Sequence, residues 1–124
     1  MNVLIVESDE QLAEVWRKHL ERQGAQVSLA FDEKDATRQI EVARYDILIL
    51  DVLLKGGSAL GLADLTYFKQ PDAQIIFVTR DTFFSDGSVF NLCSNARAVI
   101  QADTPPEDLA AMAEHYTRRR SAAS

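Results

Sequence analysis

A single cysteine, Cys93, occurs in the chain, which excludes an internal disulfide and a metal cluster built from cysteines. No apolar run approaches the length needed to span a membrane. The amino terminus, Met1-Asn2-Val3-Leu4-Ile5-Val6, carries neither a basic region nor a long apolar one, so it reads as a first strand and not as a secretion signal. A cytoplasmic protein is the expectation. Basic residues are the minority: 13 Lys and Arg against 19 Asp and Glu give a net charge of −6. That balance argues against a general nucleic-acid or anionic-membrane surface. There is no internal repeat and no low-complexity linker. Only Arg118-Arg119-Arg120-Ser121-Ala122-Ala123-Ser124 has the character of a fraying end, so one domain over 1–120 and a flexible tail over 121–124 are expected.

What is present is an ordinary globular balance, 47% hydrophobic and 26% charged, in 124 residues, enough for one domain with a real core. The chain is organised around Tyr45-Asp46-Ile47-Leu48-Ile49-Leu50-Asp51-Val52. Four consecutive large aliphatics without polar alternation read as a strand buried on both faces, as parallel sheets covered by helices require. Asp51 then falls at the carboxyl end of a central strand, where open α/β sheets place their chemistry. The simpler reading is a solvated Asp that ends a strand.

Residues 3–6 form a first strand, followed by the acidic turn Glu7-Ser8-Asp9-Glu10. Ser8 and Gln11 fit a capping box, with Ser8 as the N-cap. Leu12, Val15, Trp16, His19 and Leu20 recur at helical spacing, and Gly24 stops that helix. His19 has no second ligand at suitable spacing and reads as a helix-face histidine. A second strand is expected over 27–31 and a second helix over 33–43, capped by Asp32, with Ala36, Ile40 and Ala43 facing inward. Lys55-Gly56-Gly57-Ser58 is a loop directly after Asp51; its glycines are a weak phosphate-cradle signal and a turn suffices. A third helix follows over 59–69, its apolar side formed by Leu62, Leu65 and Phe68. Gln74–Thr79 is another solid apolar strand, ending on a hydroxyl and followed by Arg80. A short helix near 85–94 and a brief strand over 98–101 come next. Thr104-Pro105-Pro106-Glu107 opens the last helix, with Thr104 as cap and Pro105 at the first helical position. Leu109, Met112, Ala113 and Tyr116 mark its inner face.

Five strands alternating with five helices predict a doubly wound α/β fold, a parallel sheet with helices on both faces. The acidic turn, Asp51 and Thr79 would converge at one sheet edge. Acids plus a hydroxyl there suit magnesium and a phosphoryl group, because magnesium prefers oxygen ligands.

These motifs resemble the receiver domain of two-component response regulators, from residue 3 to about residue 118. The resemblance implies a flavodoxin-like receiver fold with strand order 2-1-3-4-5. It places Asp51 at the phosphoacceptor position and Thr79 at the switch-hydroxyl position, with the third-strand motif Tyr45 to Val52 and the fourth-strand motif Phe77-Val78-Thr79 matching closely. Pro106-Glu107-Asp108-Leu109 resembles the usual opening of the last helix. Glu7 stands for the first acid of the family's acidic pair, but Ser8 stands where the metal-ligating Asp is expected. Ala102-Asp103 stands where the family has Lys-Pro, and Val99 where an aromatic is common. Lys55 replaces a common Pro, and Arg80 follows Thr79 in place of a small residue.

A phosphoaspartate needs an exposed carboxylate nucleophile, a metal to offset charge, and donors for the equatorial oxygens. Asp51 and Thr79 are the candidates for the first and last. Magnesium, bound weakly, would draw on Glu7, Asp9, Asp51 and the backbone carbonyl of Leu53. Arg80, Lys55 or Arg97 would substitute for the absent lysine; for Arg80 the alternative is a solvated charge at a strand end. Two functions follow from the resemblance. One is a phosphorelay receiver with an altered site, charged by a histidine kinase or phosphotransfer protein, whose only chemistry is self-catalysed phosphoryl transfer to Asp51 and its hydrolysis. The other is a phosphorylation-independent pseudo-receiver that acts as a protein-interaction module. A flavin-binding electron carrier shares the architecture, but Glu7-Ser8-Asp9-Glu10 would repel the flavin phosphate. Phe83, Phe84 and Phe90 are left partly outward beside the helix near 85–94, which points to a partner or homodimer contact there.

Overall fold

The computed structural model describes residues 1–54, 58–80 and 95–123. Five strands, β1 (Asn2–Val6), β2 (Gln26–Ala30), β3 (Ile47–Asp51), β4 (Gln74–Thr79) and β5 (Ala96–Gln101), form one sheet. Four helices lie between and after them among the described residues: α1 (Glu10–Arg22), α2 (Glu33–Val42), α3 (Ala59–Lys69) and α4 (Pro106–Ala123). Every strand pairing is parallel, in the order β2-β1-β3-β4-β5. This is the flavodoxin-like receiver fold expected. The helix expected near 85–94, the Lys55-Gly56-Gly57 loop and the Phe83, Phe84 and Phe90 surface lie outside the described residues.

The unbroken apolar strands are explained by two cores, one on each side of the sheet. Alternate residues leave a strand on opposite faces. Leu4, Val6, Leu48, Leu50, Ile75 and Phe77 pack with Ala36, Ile40, Leu62 and Ala63 of α2 and α3. Val3, Ile5, Ile47, Ile49, Ile76 and Val78 pack with Ala13, Trp16, Leu20, Leu109, Ala110 and Ala113 of α1 and α4. A strand sealed on both sides has no face to leave polar, so β3 and β4 are buried along their whole length.

Several local expectations are corrected. The cap of α1 is Asp9, not Ser8: Asp9 Oδ1 accepts the N–H groups of Gln11 (3.1 Å) and Leu12 (3.2 Å). Glu7 is still tied to the sheet through its N–H to Ala30 O (3.0 Å), and α1 begins three residues later, at Glu10. Val15 is exposed, and Ala13 with Trp16 and Leu20 takes the inner stripe. Gly24 does end α1, at φ +91°, a conformation a residue with a Cβ rarely adopts. Ala43 faces solvent because it is the C-cap of α2, with extended backbone. Phe68 is 80% exposed; Ala59, Leu62, Ala63 and Thr66 form the buried face of α3. That helix is apolar nearly all round, so spacing alone did not choose its face, and the small side chains let it approach the sheet. Thr66 is accommodated because its hydroxyl donates to Leu62 O at 2.7 Å.

The last helix begins at Pro106, one residue later than expected. Thr104 N–H closes a turn on Gln101 O (3.0 Å), and it is Pro105 O that accepts from Asp108 (2.9 Å) and Leu109 (3.2 Å). α4 continues to Ala123, through most of the expected tail. β5 starts two residues early, and its register against β4 slips between Ile75 and Ile76, where Arg97 is passed over.

Candidate functional site

The carboxyl edge of the sheet is built by backbone bonds that carry the strand pairing past the strand ends. Glu7 N–H donates to Ala30 O (3.0 Å), Val52 N–H to Val78 O (2.9 Å) and Ala102 N–H to Thr79 O (2.8 Å). Val6 pairs with Leu50 and Asp51 with Val78, so Glu7, Asp51, Thr79 and Ala102 arrive at one edge. The convergence of the acidic turn, Asp51 and Thr79 was expected, and Ala102 joins them there.

Asp51 is only 4% exposed, so the expected exposed carboxylate is instead a nearly buried one, enclosed because β3 is the middle strand. Its Oδ1 accepts the Leu53 N–H at 3.0 Å, which orients the carboxyl and shapes the turn that follows. Ser58 caps α3 beyond that turn through Gly61 N–H (3.1 Å), and Ser58 N–H is held by Glu33 Oε2 (2.9 Å). Thr79 is fully buried at the end of β4.

Glu7 is 1% exposed. One oxygen, Oε2, accepts the Asp9 N–H at 3.1 Å. The other, Oε1, meets no hydrogen-bond donor among the described residues. Arg80 Nη2 lies 3.5 Å from it, and the Glu7 carboxyl as a whole faces the Asp51 carboxyl. Burial first, and then the facing Asp51 carboxyl, push Glu7 up to about 8, against the Asp9 N–H and the Arg80 charge, which pull it down. An acceptor that faces an acceptor is satisfied by a proton or a cation.

Asp9 is divided between two tasks. Oδ1 caps α1, and Oδ2 lies 3.4 Å from Arg80 Nη2. Arg80 therefore spans from the end of β4 to Glu7 and Asp9 of the first turn. The Arg80–Asp9 contact joins residues 71 positions apart, and no local pattern in the sequence signals it. Arg97 does not belong to the site. It lies near the amino end of β4, where its Nε donates to Gln74 Oε1 at 2.8 Å, so it cannot replace a cation at the opposite edge. Val99 pairs with Phe77 and packs on the α2–α3 side.

Among the described residues no three of His, Cys, Asp and Glu are grouped to hold a metal ion. Two buried carboxylates with one orphaned oxygen do fit a hard cation that keeps several waters and takes one or two carboxylates, as magnesium does.

The sheet order and the chain as a whole have counterparts among known proteins. Residues 3–114 match the response regulator receiver domain, and the chain belongs to that family. The transcriptional regulatory protein DltR of Streptococcus agalactiae, in serotype III and serotype V strains, is 33% identical over 79 residues, covering 64% of this chain and 35% of that protein. The chain thus spans about a third of the length of the curated relatives it matches. A CheY-like receiver domain from Methanospirillum hungatei JF-1 superposes with a TM-score of 0.90 at 23% identity, over 99% of this chain and 98% of that one. A Burkholderia pseudomallei response regulator crystallised with a phosphorylated aspartic acid, calcium ion and citrate aligns with a TM-score of 0.78 at 22% identity, over 98% of this chain and 71% of that one. The chain is a receiver domain of the kind used in two-component signalling, a family that works with histidine kinases or phosphotransfer proteins and typically with magnesium. No helix among the described residues is long and apolar enough to cross a membrane.

Proposed function

We propose that this receiver accepts a phosphoryl group on Asp51 through an altered site. The observation that carries the reading is the meeting of Glu7, Asp51 and Thr79 at the carboxyl edge of the central strands, with Asp51 oriented by the Leu53 N–H at 3.0 Å. A carboxylate oxygen of Asp51 would attack the phosphorus of a donor phosphohistidine. The new O–P bond forms as the N–P bond breaks, and the imidazole leaves with its electron pair. Water later cleaves the acyl phosphate and restores the carboxylate. Thr79 would donate to an equatorial oxygen. Arg80, on the next residue, would supply the positive charge that Ala102 does not. Glu7 and Asp51, with the Leu53 carbonyl, would hold a weakly bound magnesium, which offsets charge between acid and phosphate; Asp9, engaged as a cap and by Arg80, contributes less. The phosphorylated aspartic acid of the Burkholderia relative supports the same chemistry here.

The second reading is a phosphorylation-independent interaction module. It is favoured by Ala102 in place of the lysine and by the pairing of Arg80 with Glu7 and Asp9. Incubation with acetyl phosphate and magnesium, followed by intact-mass measurement, separates the two. Modification of the wild type and not of Asp51→Ala supports the receiver chemistry. An unmodified wild type leaves the interaction module.

A further inference from the structure

We propose that Arg80 is a tethered counter-cation of the acidic turn: its guanidinium holds the place of a divalent cation beside Glu7 and Asp9, and the two exclude one another. The proposal deepens the reading of this edge as a metal-assisted site and rests on it.

Three observations converge. Glu7 Oε1 is buried and has no hydrogen-bond donor among the described residues, so it takes a proton or a cation. Arg80 Nη2 stands 3.5 Å from that oxygen and 3.4 Å from Asp9 Oδ2, one nitrogen shared between two carboxylates. Arg80 is also rooted, because the residue before it is fixed to the sheet by Ala102 N–H on Thr79 O (2.8 Å). The Arg80 side chain is half exposed, whereas Glu7 is buried, so Arg80 approaches the acid from the solvent side. A divalent ion bound to Glu7 Oε1 would meet a like charge within contact distance of its own ligand. It enters only if Arg80 withdraws, which its exposed end permits. The weakness of the cation site then has a cause beyond the loss of a carboxylate at Ser8: part of the site's negative charge is already neutralised from within.

The test is magnesium titration by calorimetry and by amide NMR shifts on wild type, Arg80→Ala, Arg80→Gln and Arg44→Ala. Arg44 lies just before β3, at the other edge of the sheet, and its loss removes an equal charge far from the site. Magnesium should bind Arg80→Ala and Arg80→Gln about tenfold or more tightly than wild type, and the gain should persist at about 0.5 M potassium chloride, where remote charges are screened. Arg44→Ala should bind as wild type does. The glutamine variant keeps the length of the side chain without its charge, so the comparison stands if the alanine variant folds poorly. Equal or weaker binding in the Arg80 variants overturns the proposal, and so does a gain that Arg44→Ala reproduces or salt abolishes. Asp51→Asn in the Arg80→Gln background separates the two levels. If the tightened binding survives Asp51→Asn, Arg80 still competes for Glu7 and Asp9 but the reading of Asp51 as a metal ligand fails. If Asp51→Asn abolishes binding while Arg80→Gln alone never tightened it, only the Arg80 proposal fails.

Discussion

Glu7 and Asp51 leave neighbouring parallel strands one residue past the Val6–Leu50 pair, so two nearly buried carboxyls meet side by side. Side by side and out of water, they cannot both carry charge cheaply. Glu7 is the one that yields, raised to about 8 by its burial and by the Asp51 carboxyl.

A pH dependence of stability follows. Glu7 binds its proton more tightly folded than unfolded, so its stabilising contribution is complete below the ordinary carboxylate range and is lost as pH rises through about 8. In a chelator, urea unfolding should show the wild type less stable at about pH 9 than at about pH 6, by on the order of 2 kcal/mol. Glu7→Gln, neutral throughout, should lose most of that dependence. A wild type and a Glu7→Gln variant with the same slope would show that Glu7 is charged in the folded protein.

Ser8→Asp should leave folding nearly unchanged, for a reason different from the one its position in the sequence suggests. The helix cap is Asp9 and remains in place. The new carboxylate would join Glu7 and Asp51, and magnesium should bind roughly tenfold or more tightly, with a parallel rise in Asp51 phosphorylation. A titration followed by NMR shifts checks it; equal affinity in both proteins would mean that Asp9 already serves as a ligand.

The double use of Asp9 predicts a split between two substitutions. Asp9→Ala removes the acceptor for Gln11 and Leu12 and should cost about 1 kcal/mol in denaturant unfolding. Asp9→Asn keeps an equally good cap and should cost no more than a few tenths of that, although it removes the negative charge facing Arg80. Equal losses in the two variants would show that charge, and not the cap, is what Asp9 contributes.

On α3, Leu62→Ala should cost about 2–4 kcal/mol, since Leu62 is buried in the core over β3 and β4. Phe68→Ser, at 80% exposure, should stay within about 0.5 kcal/mol. Thermal or urea unfolding of both variants decides it, and a large loss at Phe68 would place that ring in a contact outside the described residues.

The sequence by itself determined the architecture. Ile47 to Leu50 and Ile75 to Val78 are apolar without alternation, and only a parallel sheet covered on both faces gives such runs a place. The capping residue Asp32 and the stop at Gly24 were legible because they act within one turn of the chain. Asp51 and Thr79 were legible as strand ends, and the alternation of elements was enough to bring them to one edge. Tertiary structure decided the rest. On α3 the spacing of Leu62, Leu65 and Phe68 picked out Leu62 but also the exposed Phe68, because apolar residues lie nearly all round the helix; burial of the small Ala59 and Ala63 against the sheet made the choice. Ser8 and Asp9 are equally good caps by residue type, and the bond that holds Glu7 in the sheet decided between them. Arg80 and Arg97 are both cations near the last strands in sequence; Arg80 follows the carboxyl end of β4 and reaches the site, while Arg97 sits near the amino end of β5, beside Gln74 at the opposite edge. The charge on Glu7 could not be read at all, since it depends on burial and on a carboxyl 44 residues away that only the sheet brings beside it.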